Sequence, residues 1–254
     1  MGIQKSVVQL TGSVGNLTFY KTKDGFLARQ KGGGISKARL LSDPKYARNL
    51  ENLSEFSRVN KASKLMRTAL RDFLVNRADR NMTRRLSSSL MTVLRSDPTN
   101  DRGSRLVQGG DLSLLKGFEF NENGKVLSFV FAPFTTSIDR VAGVLSFDMP
   151  AFSPAKMIRH PEGTTHFKLK IAATALDFEN NSYLATMVES VEIDAKALQQ
   201  EPVQMTTQLP ANLTTPLLLT LGIEFFQQVN GKLYPLENGA FTGIAIVEAD
   251  QAPA

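Results

Sequence analysis

Residues 43–76, DPKYARNLENLSEFSRVNKASKLMRTALRDFLVN, read as one long, basic, amphipathic helix. Asp43 is placed to cap it. Pro44 falls at the first helical position, where a missing N–H costs nothing. Tyr46, Leu50, Leu53, Phe56, Val59, Ala62, Met66, Ala69 and Phe73 recur at spacings of three and four, the apolar stripe of a helix packed on one side. Leu65, Leu70 and Leu74 widen the stripe, so the second half is expected to be the more buried. The opposite face carries Arg48, Arg58, Lys61, Lys64, Arg67 and Arg71 against Glu51, Glu55 and Asp72. Such a face is either merely solvated or kept for a polyanion.

Upstream, the pattern changes to period two. Val7–Leu10 is a short strand candidate, broken by Gly12 and Gly15. Leu17–Lys21 and Phe26–Gln30 then flank Thr22-Lys23-Asp24-Gly25, and Asp-Gly between alternating apolar runs signals a hairpin. Gly32, Gly33 and Gly34 follow as a joint. A lone two-stranded hairpin is only marginally stable in water, so this arm needs a surface to lie on. Leu17, Phe19, Tyr20, Phe26 and Leu27 are the side chains it offers.

Downstream, a polar break at Arg77–Asn81 leads to a second helix over Met82–Arg95, with Leu86, Leu90, Val93 and Leu94 on one face. The two helices are expected to form a helical hairpin. Asp97–Asp101 ends it, and Gly109–Gly110 reads as a linker. From Leu112 the alternation returns. Phe118 and Phe120 are set to pair with Leu127, Phe129 and Phe131 across Asn123–Gly124. Further strands are expected over Val141–Met149, His166–Ala173, Tyr183–Ile193, Leu217–Val229 and Ala240–Val247. No helix-length pattern separates them, so the expected fold class is α+β: an N-terminal β-hairpin arm (residues 1–34), a basic helical region (35–110) and a C-terminal antiparallel β-sandwich (111–254).

The net charge of +6 conceals a division. Residues 1–110 hold 21 Lys and Arg against 8 Asp and Glu, a net +13, and residues 111–254 hold 9 against 16, a net −7. This favours a polyanionic partner or docking between opposite charges on two copies. The chain has no cysteine, hence no disulfide frame or zinc–thiolate site. No stretch reaches the length of a membrane span, and the start lacks a signal-peptide core. Synthesis in the cytoplasm is expected, and release by lysis as part of an assembly fits equally.

Chemical motifs are sparse. Gly32–Lys37 lacks the spacing of a phosphate-binding loop. His160, Glu162 and His166 gather the only two histidines near one carboxylate, but Pro161 and Gly163 make this a turn entering a strand. Asp177, Glu179 and Asn180 lack calcium-loop spacing. No nucleophile elbow occurs. No enzyme, cofactor or metal is therefore expected. The leading expectation is a structural subunit whose arm adds strands to another copy, building a filament, tube or particle. The second is a nucleic-acid-binding accessory protein using Arg58, Lys61, Lys64, Arg67, Arg71, Arg84 and Arg85.

The run Gly12–Lys21, the run Asp43–Leu70, and the segments Pro161–Phe167 and Gly222–Phe226 resemble a family of uncharacterised bacterial proteins. The resemblance spans most of the chain. It implies a glycine-rich N-terminal strand, basic helices and a C-terminal β domain, and it implies no activity.

Overall fold

A computed structural model describes residues 2–5, 8–23, 25–32, 34–75, 79–236 and 242–251. Val7, Asp24, Gly33, Asn76, Arg77 and Ala240, which enter the readings above, lie outside the described residues. The chain is mixed α+β: N-terminal strands, a helical stretch, then antiparallel sheets. It divides into two compact units, residues 1–50 and 51–254.

The first unit holds four strands, β1 (Gly2–Ile3), β2 (Gly12–Val14), β3 (Leu17–Thr22) and β4 (Gly25–Gln30), in the order β1-β4-β3-β2. The expected hairpin is β3–β4, and Thr22 pairs directly with Gly25. Gly25 sits at φ +118°, so the turn uses the glycine as a strand residue of unusual conformation. The hairpin does not stand alone, because β1 and β2 pair with parts of its outer rims. Of the strand expected over Val7–Leu10, the described residues 8–10 are not in a strand, and the next strand is Gly12–Val14. The Gln4 side-chain amide bonds both backbone groups of Leu10, at 3.2 and 2.9 Å. None of the described side chains in residues 1–50 is buried. Helix α1 (Lys37–Ser42) follows, capped by Ser36, and a 3₁₀ turn at Pro44–Tyr46 is capped by Asp43, which accepts from Lys45 N.

The long helix runs as α2 (Ala47–Ala69), breaks at Leu70, and resumes for one turn as α3 (Arg71–Leu74). Its apolar stripe is buried from Val59 onward, whereas Leu53 and Phe56 remain exposed. Glu55, read as solvated, is buried instead. It accepts from Gly103 N at 2.8 Å, while Arg58 donates to the carbonyls of Gly103 and Arg105 at 2.7 and 3.2 Å. Helix α4 spans Met82–Arg95, with Met82, Leu86, Leu90, Val93 and Leu94 buried. Beyond it, buried Asp97 gathers the amides of Thr99, Asn100 and Leu106 and the side chain of Asn100. Burial alone would raise its pKa, but those bonds outweigh burial and lower it to about 2. Gly109–Gly110 is no loose linker: a Cβ on Gly110 would overlap the Val93 carbonyl.

The Phe118–Phe131 hairpin does not form. Glu119 accepts from Val126 N at 3.1 Å, and residues Val126–Phe129 coil into a helical turn, α5. Residues 117–120 join a distant strand instead, as described below. The remaining elements are β5 (Thr135–Asp139), β6 (Val144–Met149), α6 (Pro154–Met157), β7 (His166–Asp177), β8 (Ser182–Glu189), β9 (Ile193–Asp194), β10 (Val203–Gln208), β11 (Leu217–Val229), β12 (Lys232–Pro235) and β13 (Gly243–Asp250).

Two antiparallel sheets result. The larger is built on β7 and β11, with β8 and β9 beside β7, and β12 and β13 beside β11; the smaller runs β10-β6-β5. Leu145, Phe147, Met149 and Met205 of the smaller sheet share a core with Phe167, Leu169, Ile171, Leu219, Leu221 and Phe225. The opposite face of the larger sheet, through Ala172, Leu176, Leu218, Ile244 and Ile246, shares a second core with α2, α3 and α4. A sheet covered on both sides needs apolar residues at consecutive positions, which is why Leu217–Ile223 reads as a nearly continuous apolar run, interrupted only by buried Thr220 and by Gly222. Gly222 belongs to this packing, since a Cβ there would lie 2.8 Å from the Phe73 ring. Beyond the helices this face turns polar: Lys170 bridges Glu189 and Glu224, each at 2.7 Å.

Candidate functional site

The larger sheet has unequal rims. Along β13, Gly117 N donates to Ile246 O, Ile246 N to Phe118 O and Phe120 N to Ile244 O, so residues 117–120 cover that rim. Strand β12 ends in Pro235, which donates no N–H. Strand β8 pairs with β7 alone, and the outward backbone groups of Tyr183–Val188 make no ladder bonds among the described residues. Its sequence, SYLATMVE, holds neither lysine nor proline, the usual guards of such a rim. Tyr183, Leu184 and Met187 are 42, 45 and 46 % exposed.

Register explains what lies beside them. Tyr183, Ala185 and Met187 oppose Leu176, Thr174 and Ala172 on the helix-facing side of the sheet. They line a cavity of about 290 Å³ together with Leu70 and Phe73. Leu184 and Thr186 face the other way, and Thr186 bonds Thr207 of β10 at 2.7 Å. Thr68, Arg71 and Asp72 also line it, so a strand open along one rim stands next to a notch of mixed polarity and side-chain size.

The arm residues singled out from sequence fall on both faces of the N-terminal sheet. Leu17, Phe19 and Phe26 share one face, Tyr20 and Leu27 the other. Phe19 lies opposite Gly12 and Ala28. Lys21 stands over Phe26 and Arg29 over Tyr20, at 5.4 Å in each case. Leu17 is exposed and the other four are half-buried. The arm also exposes Val8 and Leu10, which the sequence placed in a strand but not among the contact side chains, and Val14, at 68, 46 and 67 %. The signal was present, since positions 8, 10 and 14 keep one parity, but Gly12 interrupts it.

The basic residues do not form one face. Arg58 is spent on loop 103–105. Arg85 pairs with Asp79, donates to Glu119 O, and stacks on Phe118. Arg67 bonds back to Ser63 O within its helix. Lys61, Lys64, Arg71 and Arg84 remain exposed. His160 turns to Pro161 O and His166 to Thr165 Oγ1. No group of three His, Cys, Asp or Glu side chains converges as metal ligands would among the described residues. No helix among them is long and apolar enough to cross a membrane.

One carboxyl is displaced toward neutrality. Burial pushes Glu119 up to about 7, against the amides of Val126 and Leu127 and the charges of Lys125 and Arg85. Its ionised form is disfavoured in the folded chain. It therefore withdraws stability as pH rises from the ordinary carboxylate range through 7. Glu119→Gln keeps an acceptor for Val126 N without the charge. We expect it to raise the melting temperature at pH 8 by a few degrees while leaving that at pH 4 unchanged, as followed by thermal denaturation.

The fold and these surfaces define a mixed α+β protein with an open sheet rim. Set against models of protein families, curated proteins and solved structures, the chain matches none.

Proposed function

We propose that this protein is a non-enzymatic structural subunit that self-associates by strand addition, the N-terminal arm of one copy lying along β8 of another. The single observation that carries the reading is the bare β8 rim beside a notch floored by Leu70, Phe73 and Ala172. Added backbone would satisfy the outward ladder groups, and alternate side chains would seat in the notch. A cavity of about 290 Å³ accommodates one aromatic or branched side chain of the arm.

A second copy is favoured as the occupant by charge and by pattern. Residues 1–50 carry 9 Lys and Arg against 2 Asp and Glu, whereas residues 111–254 are net −7. The arm presents Val14 and Leu17 at their register positions on one face, directly paired, and both exposed. Its outermost strands are only two and three residues long, so much of β3 and β4 keeps an open rim. A contact between two different surfaces of the same chain need not close, which allows filaments and tubes as well as rings.

Leu184→Lys/Met187→Lys tests this directly. Both side chains are exposed, so the fold should tolerate the change within about 0.5 kcal/mol. Lysine on an edge strand opposes further pairing. Full-length protein is expected to sediment as a multimer and to form ordered polymers in negative stain. The double variant should sediment as a monomer with an unchanged melting temperature. A monomeric parent protein, or a double variant that polymerises as well as the parent, defeats the reading.

A further inference from the structure

A groove of about 700 Å³ runs between α2 and α4. Phe56 and Asn60 line it from α2, Arg84, Met91 and Arg95 from α4, with Arg80 at its end. Ser87 of α4 donates to Asn60 Oδ1 at 3.3 Å and ties the two walls together. No lining residue is acidic. Arg80, Arg84 and Arg95 are exposed and have no carboxylate partner among the described residues. Elsewhere in the same unit Arg85, Arg102 and Arg140 are paired with Asp79, Glu51 and Asp250. Three unneutralised guanidinium groups around one concavity repel one another, and an anion in the groove would relieve them.

The spacing along α4 adds to this. Arg84, Ser88, Met91 and Arg95 follow at intervals of four, three and four, a single stripe over three turns. At ~1.5 Å per residue the two arginines stand about 16 Å apart, the span of two to three nucleotides of extended single strand. Phe56 is 54 % exposed and lines the same groove.

We propose that the groove between α2 and α4 binds single-stranded nucleic acid, with Arg80, Arg84 and Arg95 on the phosphates and Phe56 stacking on a base. The exposed aromatic decides for a single strand over a duplex, whose bases are already stacked on one another. It also decides against an acidic peptide, which would use the arginines and leave the ring idle. This inference stands apart from strand addition at β8, because the two surfaces share no residue.

The test is fluorescence anisotropy of a labelled oligothymidylate of about 15 nucleotides over a range of salt. Arg84→Ala/Arg95→Ala should weaken binding about tenfold or more and lower the salt slope by about 1.4, the share of two phosphates on a single strand. Phe56→Ala should weaken binding about five- to hundredfold with the slope unchanged. Both changes lie on exposed positions, and thermal melts establish that the variants fold. Absence of binding at low salt overturns the proposal. So does equal competition by polyglutamate together with a neutral Phe56→Ala, which would mark a surface for acidic protein. Tighter binding of a duplex of the same length overturns the single-strand assignment as well.

Discussion

Removal of residues 1–34 is expected to leave a folded protein that has lost self-association altogether. The body should survive because neither hydrophobic core contains a residue before Val59. The compact unit that holds both cores begins at Glu51. What the truncation deletes is the four-stranded arm, which buries no side chain of its own among the described residues. Circular dichroism and melting should therefore match the full-length protein closely, while sedimentation should shift from multimer to monomer. Mixing provides the complementary readout: the truncated chain keeps β8, so it should still accept an arm donated by full-length protein. Truncated protein that polymerises at the same concentration as the parent would remove the arm from the account.

The second large effect concerns stability alone. Gly110→Ala places a methyl group onto the Val93 carbonyl, which is fixed within the last turn of α4. Neither partner is the far end of a flexible side chain, so backbone must separate. Asp111 N, bonded to Ser96 Oγ at 2.8 Å, holds the neighbouring loop against the same turn. Overpacking of this sort costs about 3 kcal/mol, hence a fall in melting temperature of about 6–12 °C for a chain of this size. Gly34→Ala is the control, because nothing lies within 4 Å of a Cβ there. It should melt within about 2 °C of the parent. Equal melting of the two variants would show that the crossing at Gly110 is looser than described.

How much of this was legible in sequence depends on how far each residue's partner lies along the chain. Helix α4 was legible to the residue, because its buried face recurs within one element. The long strand β11 was legible as an apolar run, although only the structure shows that helices and a second sheet cover its two faces. Strands β5 and β10 went unread: threonine-bearing segments such as Thr135–Asp139 and Val203–Gln208 carry polar side chains on every outward position and sound like loops. Phe118–Phe131 was misread because the deciding contacts are remote. Val126 lies so close to Gly243 that a Cβ on the glycine would come within 2.9 Å of its backbone, and residues 117–120 answer to Ile244 and Ile246.

The basic residues teach the same point at the level of the site. Arg58, Arg84 and Arg85 are indistinguishable by local pattern. Arg58 is consumed by carbonyls 45 and 47 positions away, Arg85 by Asp79 and Glu119, and Arg84 is left over. Openness of an edge is likewise a property of topology. Nothing in SYLATMVE says that one of its sides lacks a neighbour, and only the strand order reveals it.

Residues 117–120 lie along β13 and occupy the rim opposite β8. Any polymer extended through β8 would then be directional. Its two tips are chemically different objects: one holds out the bare rim of β8, the other an N-terminal arm.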